Sequence, residues 1–231
     1  MTHLGRTFFA CAFLMASACS PAESPPPATE RTPAASAPDG TKTADAPRIV
    51  ILGDSLTAGL GLDPDQSFPA LLQKRLAAEG HRYEVVNAGV SGDTTAGGLR
   101  RLDWSLEGDT RILVVALGGN DGLRGLPVSA TRTNLEEIIT RAQQRGIRVV
   151  LAGMEAPPNY GAAYTAEFRQ LFRDLASAHH VAFIPFLLEG VAGEAKLNQG
   201  DGIHPNAEGA RAVEGLVWAV LKPIVEGAPT R

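Results

Sequence analysis

Cysteine is nearly absent from this chain. Its two cysteines, Cys11 and Cys19, both fall within the first twenty of 231 residues. Beyond them no intrachain disulfide can staple a fold, and no thiolate-based metal site can form. There is no run of basic residues, and the formal net charge of −4 is mild, which argues against nucleic acid as the main partner. The apolar run at 8–18 has eleven residues, too few to span a bilayer core, which needs about 20. Two motifs are also missing. No Gly-x-Ser-x-Gly elbow is present, which counts against an α/β-hydrolase fold. No Gly-x-Gly-x-x-Gly follows the first apolar run, which makes dinucleotide binding a poor reading.

The N-terminus reads as an address. Residues 1–18 carry an Arg, then the apolar run, then the small residues Ala16, Ser17 and Ala18, as in a signal peptide with its cleavage site. Cys19 follows directly. A Cys at the first mature position resembles a bacterial lipoprotein signal, in which that Cys is lipidated; ordinary secretion with an incidental Cys is the alternative. Residues 19–47 are rich in Pro, Ala, Ser and Thr without apolar periodicity, a composition expected of a disordered tether. A folded domain is expected over 48–227.

Within that domain apolar runs alternate with helical patterns. Strands are predicted at 48–52, 83–86, 111–117, 149–152 and 181–184. Helices are predicted at 67–79, 95–106, 129–144, 163–178 and 207–225. Phe68, Leu71, Leu72 and Leu76 recur at helical spacing in the first, with Pro69 tolerated in its opening turn. Strands alternating with helices of this length imply right-handed crossovers and a parallel sheet covered on both faces. The simplest solution is a single-domain, three-layer α/β/α sandwich: a flavodoxin-like fold with a five-stranded parallel sheet.

The residues able to carry chemistry lie after strands or before the last helix. Ser55, in Gly53-Asp54-Ser55-Leu56, follows the first strand, where open α/β sheets collect catalytic groups; Asp and Ser are also ordinary helix caps. Gly92, in Ser91-Gly92-Asp93-Thr94, lies in a loop expected over 87–94 and fits a position of positive φ. Asn120, in Gly118-Gly119-Asn120-Asp121, also fits an ordinary turn. The pair Asp201 and His204 is more specific. Imidazole titrates near pH 6.5, and a carboxylate three residues earlier can curl back to its Nδ1, fixing the tautomer. The other histidines have weaker claims: His3 lies in the signal, His81 in a surface turn, and His179 and His180 at a helix C-terminus.

Together the four blocks resemble the SGNH hydrolase superfamily, often called the GDSL family. They occur in that family's order and span nearly all of 48–225. Residues 118–125, 158–161 and 201–206 are most similar to its bacterial periplasmic thioesterase/lysophospholipase and arylesterase branch. The resemblance implies a serine esterase with Ser55 as nucleophile, His204 as general base and Asp201 orienting it. It implies an oxyanion hole from the N–H groups of Ser55 and Gly92 and the side chain of Asn120. No metal or organic cofactor is implied, no nucleic acid, and no obligate protein partner. Aryl and acyl esters, including lysophospholipids, are the expected substrates. A carbohydrate or peptidoglycan O-acetyl esterase of the same fold, or a non-catalytic envelope-binding lipoprotein, are the alternatives. Met154-Glu155-Ala156-Pro157 departs from the branch where an acyl pocket is expected, so chain-length preference does not carry over. The expected location is the bacterial cell envelope, in the periplasm, held to a membrane through lipidated Cys19.

Overall fold

The computed structural model describes residues 46–227. The signal peptide, Cys19 and all of the tether but its last two residues therefore lie outside the described residues. Pro47, assigned to the tether from sequence, already accepts a hydrogen bond at the sheet edge from the Glu84 N–H (3.0 Å).

Five strands form the centre: β1 (Arg48–Gly53), β2 (Glu84–Gly89), β3 (Thr110–Ala116), β4 (Arg148–Ala152) and β5 (Ala182–Ile184). They pair in parallel in the order β2-β1-β3-β4-β5. The helices are α1 (Ser55–Ala58), α2 (Phe68–Ala78), α3 (Thr95–Arg100), α4 (Leu102–Ser105), α5 (Gly119–Leu123), α6 (Val128–Gln144), α7 (Ala162–Ala178) and α8 (Ala207–Glu226). Short 3₁₀ turns lie at Pro64–Gln66 and Pro158–Tyr160.

β1 and β3 are the reason the sheet is parallel and central. Ile49, Val50, Ile51 and Leu52 in β1, and Ile112 through Ala116 in β3, are completely buried. A strand that is apolar on both faces needs a cover on both, and crossover helices supply it. Truncating one such Leu or Ile to Ala typically costs about 2–5 kcal/mol.

The strand order places a switch point between β1 and β3, because the chain leaves β1 for one edge and returns through β3 toward the other. Ligands of such sheets collect at the carboxyl ends of the strands at this crevice. Ser55 follows β1 there, and Asn120 follows β3.

Three local expectations are corrected. β2 runs on through Asn87, Ala88 and Gly89, which pair with Ile51, Leu52 and Gly53; residues of poor strand propensity are held by the neighbouring strand. The helix expected over 95–106 is two helices, broken at Arg101 (φ −104°, ψ 7°). Asn120, read as a turn, lies in the short helix α5, and a further short helix, α1, begins at Ser55.

Candidate active site

β1 ends at Gly53, where nothing larger fits: a Cβ there would strike the Thr57 hydroxyl. Asp54 then caps α1, its Oδ1 accepting the Leu56 N–H at 3.0 Å. The cap reading and the nucleophile reading of this stretch are thus compatible, since Asp54 does the capping. That leaves Ser55 as the first residue of α1, with its hydroxyl facing His204.

Ser55 Oγ lies 2.9 Å from His204 Nε2, and His204 Nδ1 lies 2.6 Å from Asp201 Oδ2. With neutral imidazole, Nδ1–H donates to the carboxylate and Nε2 accepts the serine hydroxyl. The other Asp201 oxygen accepts the N–H groups of Ile203 (2.9 Å) and His204 (3.0 Å). The His204 N–H, its imidazole and the Ile203 N–H hold the Asp201 carboxyl well below the usual carboxylate range.

The His204 loop is built from nearby residues. The His204 carbonyl accepts the Gln199 N–H (2.8 Å), and Asn198 and Pro205 form an antiparallel bridge. Asn206 then caps α8, its Oδ1 accepting the N–H groups of Glu208 and Gly209. One side chain ties the loop to the segment after α1: Gln199 Nε2 donates to the Leu60 carbonyl (2.7 Å) and to that of Pro205 (2.9 Å). Gln199 carried no motif in the sequence.

Opposite the loop, Gly92 occupies the third position of a type II turn. The Asp93 N–H donates to the Val90 carbonyl (3.0 Å), and Gly92 has φ 83°, a conformation that favours glycine there. Asn120 Nδ2 donates to the Asp93 carbonyl (2.9 Å) and to Asp54 Oδ2 (3.2 Å). The structure therefore brings Ser55, Gly92, Asn120, Asp201 and His204 to one cleft, which all but Asp201 line directly. The neighbouring Asp121 is buried and takes the Thr95 N–H (2.9 Å) and hydroxyl (2.6 Å), fastening α5 to the start of α3.

Asp54 is a buried carboxylate beside Ser55. Burial pushes it up to about 6, against the opposing effects of the Leu56 N–H, the Asn120 amide and His204. A cap residue that also touches Asn120 has no sequence signature, because the two are 66 positions apart.

The cleft has a volume of about 630 Å³, and Ser55, Asn120 and His204 line it. Leu56, Leu60, Leu123, Met154, Phe186 and Ile203 supply apolar walls. The departing loop lines it through Met154 to Pro157, with Glu155 paired to Arg169 at 2.8 Å. His81 instead packs against Trp218, and His179 caps the end of α7. Among the described residues no group of three His, Cys, Asp or Glu is placed to hold a metal, and no helix is long and apolar enough to cross a membrane.

Residues 51–212 match the GDSL-like lipase/acylhydrolase family. Esterase TesA of Pseudomonas aeruginosa is 45% identical over 186 residues, covering 80% of this chain and 92% of that protein. A crystal structure of TesA aligns with TM-score 0.74 over 77% of this chain and 99% of its own. Thioesterase 1/protease 1/lysophospholipase L1 of Escherichia coli (strain K12) is 35% identical over 185 residues, covering 80% of this chain and 88% of that protein.

Proposed function

The chain belongs to the GDSL-like lipase/acylhydrolase family and is a serine hydrolase acting on esters, and from that premise we propose that Ser55 is the nucleophile of an acyl-enzyme mechanism. The observation that carries the reading is the continuous row Asp201–His204–Ser55, with contacts of 2.6 and 2.9 Å, whose Ser55 and His204 line a largely apolar cleft.

His204 Nε2 takes the Ser55 proton as Oγ attacks the ester carbonyl carbon. The carbonyl oxygen becomes an oxyanion, facing the N–H groups of Ser55 and Gly92 and the Asn120 amide. Asn120 already donates both amide hydrogens, so it turns toward the oxyanion by giving up its longer bond, the one to Asp54. Collapse of the intermediate breaks the carbon–oxygen or carbon–sulfur bond, and His204 returns the proton to the leaving group. Water then attacks the acyl-enzyme, His204 takes its proton, and Ser55 is restored with release of the acid. Asp201 stays ionised throughout and stabilises the imidazolium.

The substrate class follows from the cleft. Its volume and apolar walls suit an acyl chain better than a lone acetyl group. Aryl esters, acyl esters and lysophospholipids are the proposed substrates, and the names of the relatives above fit that range. Each methylene moved from water into such walls is worth about 0.8 kcal/mol, or roughly fourfold in kcat/KM. A p-nitrophenyl ester series from acetate to palmitate tests this: kcat/KM is expected to rise over the first several methylenes, then level off as the cleft fills. A maximum at acetate, falling with every added methylene, would favour the O-acetyl esterase of carbohydrates instead.

The envelope location extends the same proposal. Residues 1–18 act as a signal peptide, Cys19 becomes the lipidated first residue, the segment to residue 47 tethers the hydrolase domain at 48–227, and the enzyme works in the periplasm. The Cys at the cleavage site and the composition of the tether support this. Mass spectrometry of the mature N-terminus tests it, with a diacylglyceryl-Cys19 expected; an unmodified start elsewhere overturns it.

A further inference from the structure

The groups proposed to hold the oxyanion stand on three chain segments, and one guanidinium joins two of them directly. Arg101 sits at the break between α3 and α4. Its Nε donates to Asp93 Oδ2 at 2.7 Å, its Nη1 to the Ala88 carbonyl at 2.8 Å, and its Nη2 to the Gly53 carbonyl at 2.8 Å. The first contact secures the loop that carries Gly92. The second and third secure the carboxyl ends of β2 and β1, the latter two residues before Ser55. The Gly53 carbonyl also accepts the Val90 N–H (3.0 Å), which ties the turn carrying Gly92 to β1 a second time.

Asp93 passes the constraint on. Its carboxylate takes Arg101, and its own carbonyl takes Asn120 Nδ2 at 2.9 Å. The Arg101 and Asp93 side chains are only 16% and 18% exposed, so the pair is largely shielded from water. The helix break coincides with these contacts: at Arg101 the backbone leaves helical geometry, and the side chain reaches the strand ends.

We infer that Arg101 is a positioning residue for the oxyanion hole. It acts through Asp93, whose side chain it holds and whose carbonyl holds the Asn120 amide. The inference rests on the reading of Gly92 and Asn120 as oxyanion donors. A planar fork with rigidly placed donors suits three acceptors on three segments, whereas a lysine ammonium keeps the charge and loses that geometry. Displacing a catalytic group by about 1 Å can lower turnover about 10²-fold, and the rim of this hole is set by these contacts.

The test is a double-mutant cycle in the full-length protein with p-nitrophenyl butyrate: Arg101→Lys, Asn120→Ala and both together, with melting temperatures recorded alongside. The expected result for Arg101→Lys is a kcat about 10–100-fold lower with KM within about twofold. In the Asn120→Ala background the same change should lower kcat less than about threefold, because the group it positions is gone. A folded Arg101→Lys protein with wild-type kcat overturns the inference. An equal loss in both backgrounds also overturns it, leaving Arg101 as a staple of the fold alone. If Arg101→Lys does not fold, Asp93→Asn replaces it in the cycle, with the same two criteria. Unchanged kcat in Asn120→Ala by itself would remove the oxyanion reading, and the inference with it, a failure separate from an additive cycle.

Discussion

The two halves of the site are built in opposite ways. The half that carries the proposed nucleophile lies at the buried rim of the sheet: Asp54 is 2% exposed and Ser55 8%, Asn120 of α5 bonds both Asp54 and the Asp93 carbonyl of the loop after β2, and Arg101 bonds Gly53 at the end of β1. The half proposed to carry the proton is a surface loop whose contacts are mostly within six residues of His204, with the Asp201 side chain 45% exposed. The difference separates two jobs. Donors that stabilise developing charge work best when fixed before reaction in a water-poor setting. A base that moves a proton in each direction needs an orienting partner and tolerates water nearby.

The two carboxylates show the same contrast. Burial pushes Asp54 up to about 6, whereas local N–H donors and the imidazole pull the exposed Asp201 down. One carboxylate is strained by its setting, and the other is satisfied by it.

The largest expected effect breaks the row at its centre. Ser55→Ala should fold normally and lose esterase activity by about 10⁴-fold or more, read as kcat/KM on an aryl ester. Next comes the exposed half. Asp201→Asn should reduce kcat, yet fall short of the roughly 10⁴-fold loss associated with a buried orienting aspartate, because water reaches this position and can accept from Nδ1. A loss at or above that figure would mean that the loop is more enclosed than the contrast requires. On the buried half, Asn120→Ala should lower kcat by about 10²–10³ with the fold retained, since one proposed oxyanion donor is removed.

The smallest effect is on stability. A buried acid whose folded pKa is about 6 against 3.8 for the free group binds more protons folded than unfolded over that interval. Its contribution therefore falls as pH rises from about 4 to about 6 and is level above that. Two pKa units correspond to about 3 kcal/mol. Urea unfolding of wild type and Asp54→Asn across pH 4–8 should show the variant gaining on the wild type by about that amount over this interval. Parallel curves would show that Asp54 does not titrate there.

Much of this architecture was legible in the residues themselves. The fully apolar β1 and β3 announced a parallel sheet, and the tip of β1 pointed to Ser55. Asp201 and His204 were readable because their relation is local, a carboxylate three positions before an imidazole. What escaped the sequence depends on contacts between distant segments. Asn87, Ala88 and Gly89 look like loop residues and become strand only beside β1. The break at Arg101 coincides with its contacts to carbonyls 13 and 48 positions away. Asp54 touching Asn120, and Gln199 reaching Leu60, have the same long-range origin. The exposed half of the site was thus easier to read than the buried half, for the reason that makes the buried half rigid.

The central claim, that Ser55 is the nucleophile activated by His204, is tested most directly by fluorophosphonate labelling followed by peptide mass spectrometry. The full-length protein is predicted to take one adduct per chain, on Ser55, with loss of esterase activity in step. The same reaction should be much slower in His204→Ala. An adduct on another residue, or ester hydrolysis continuing at the wild-type rate after Ser55 is fully modified, would contradict it.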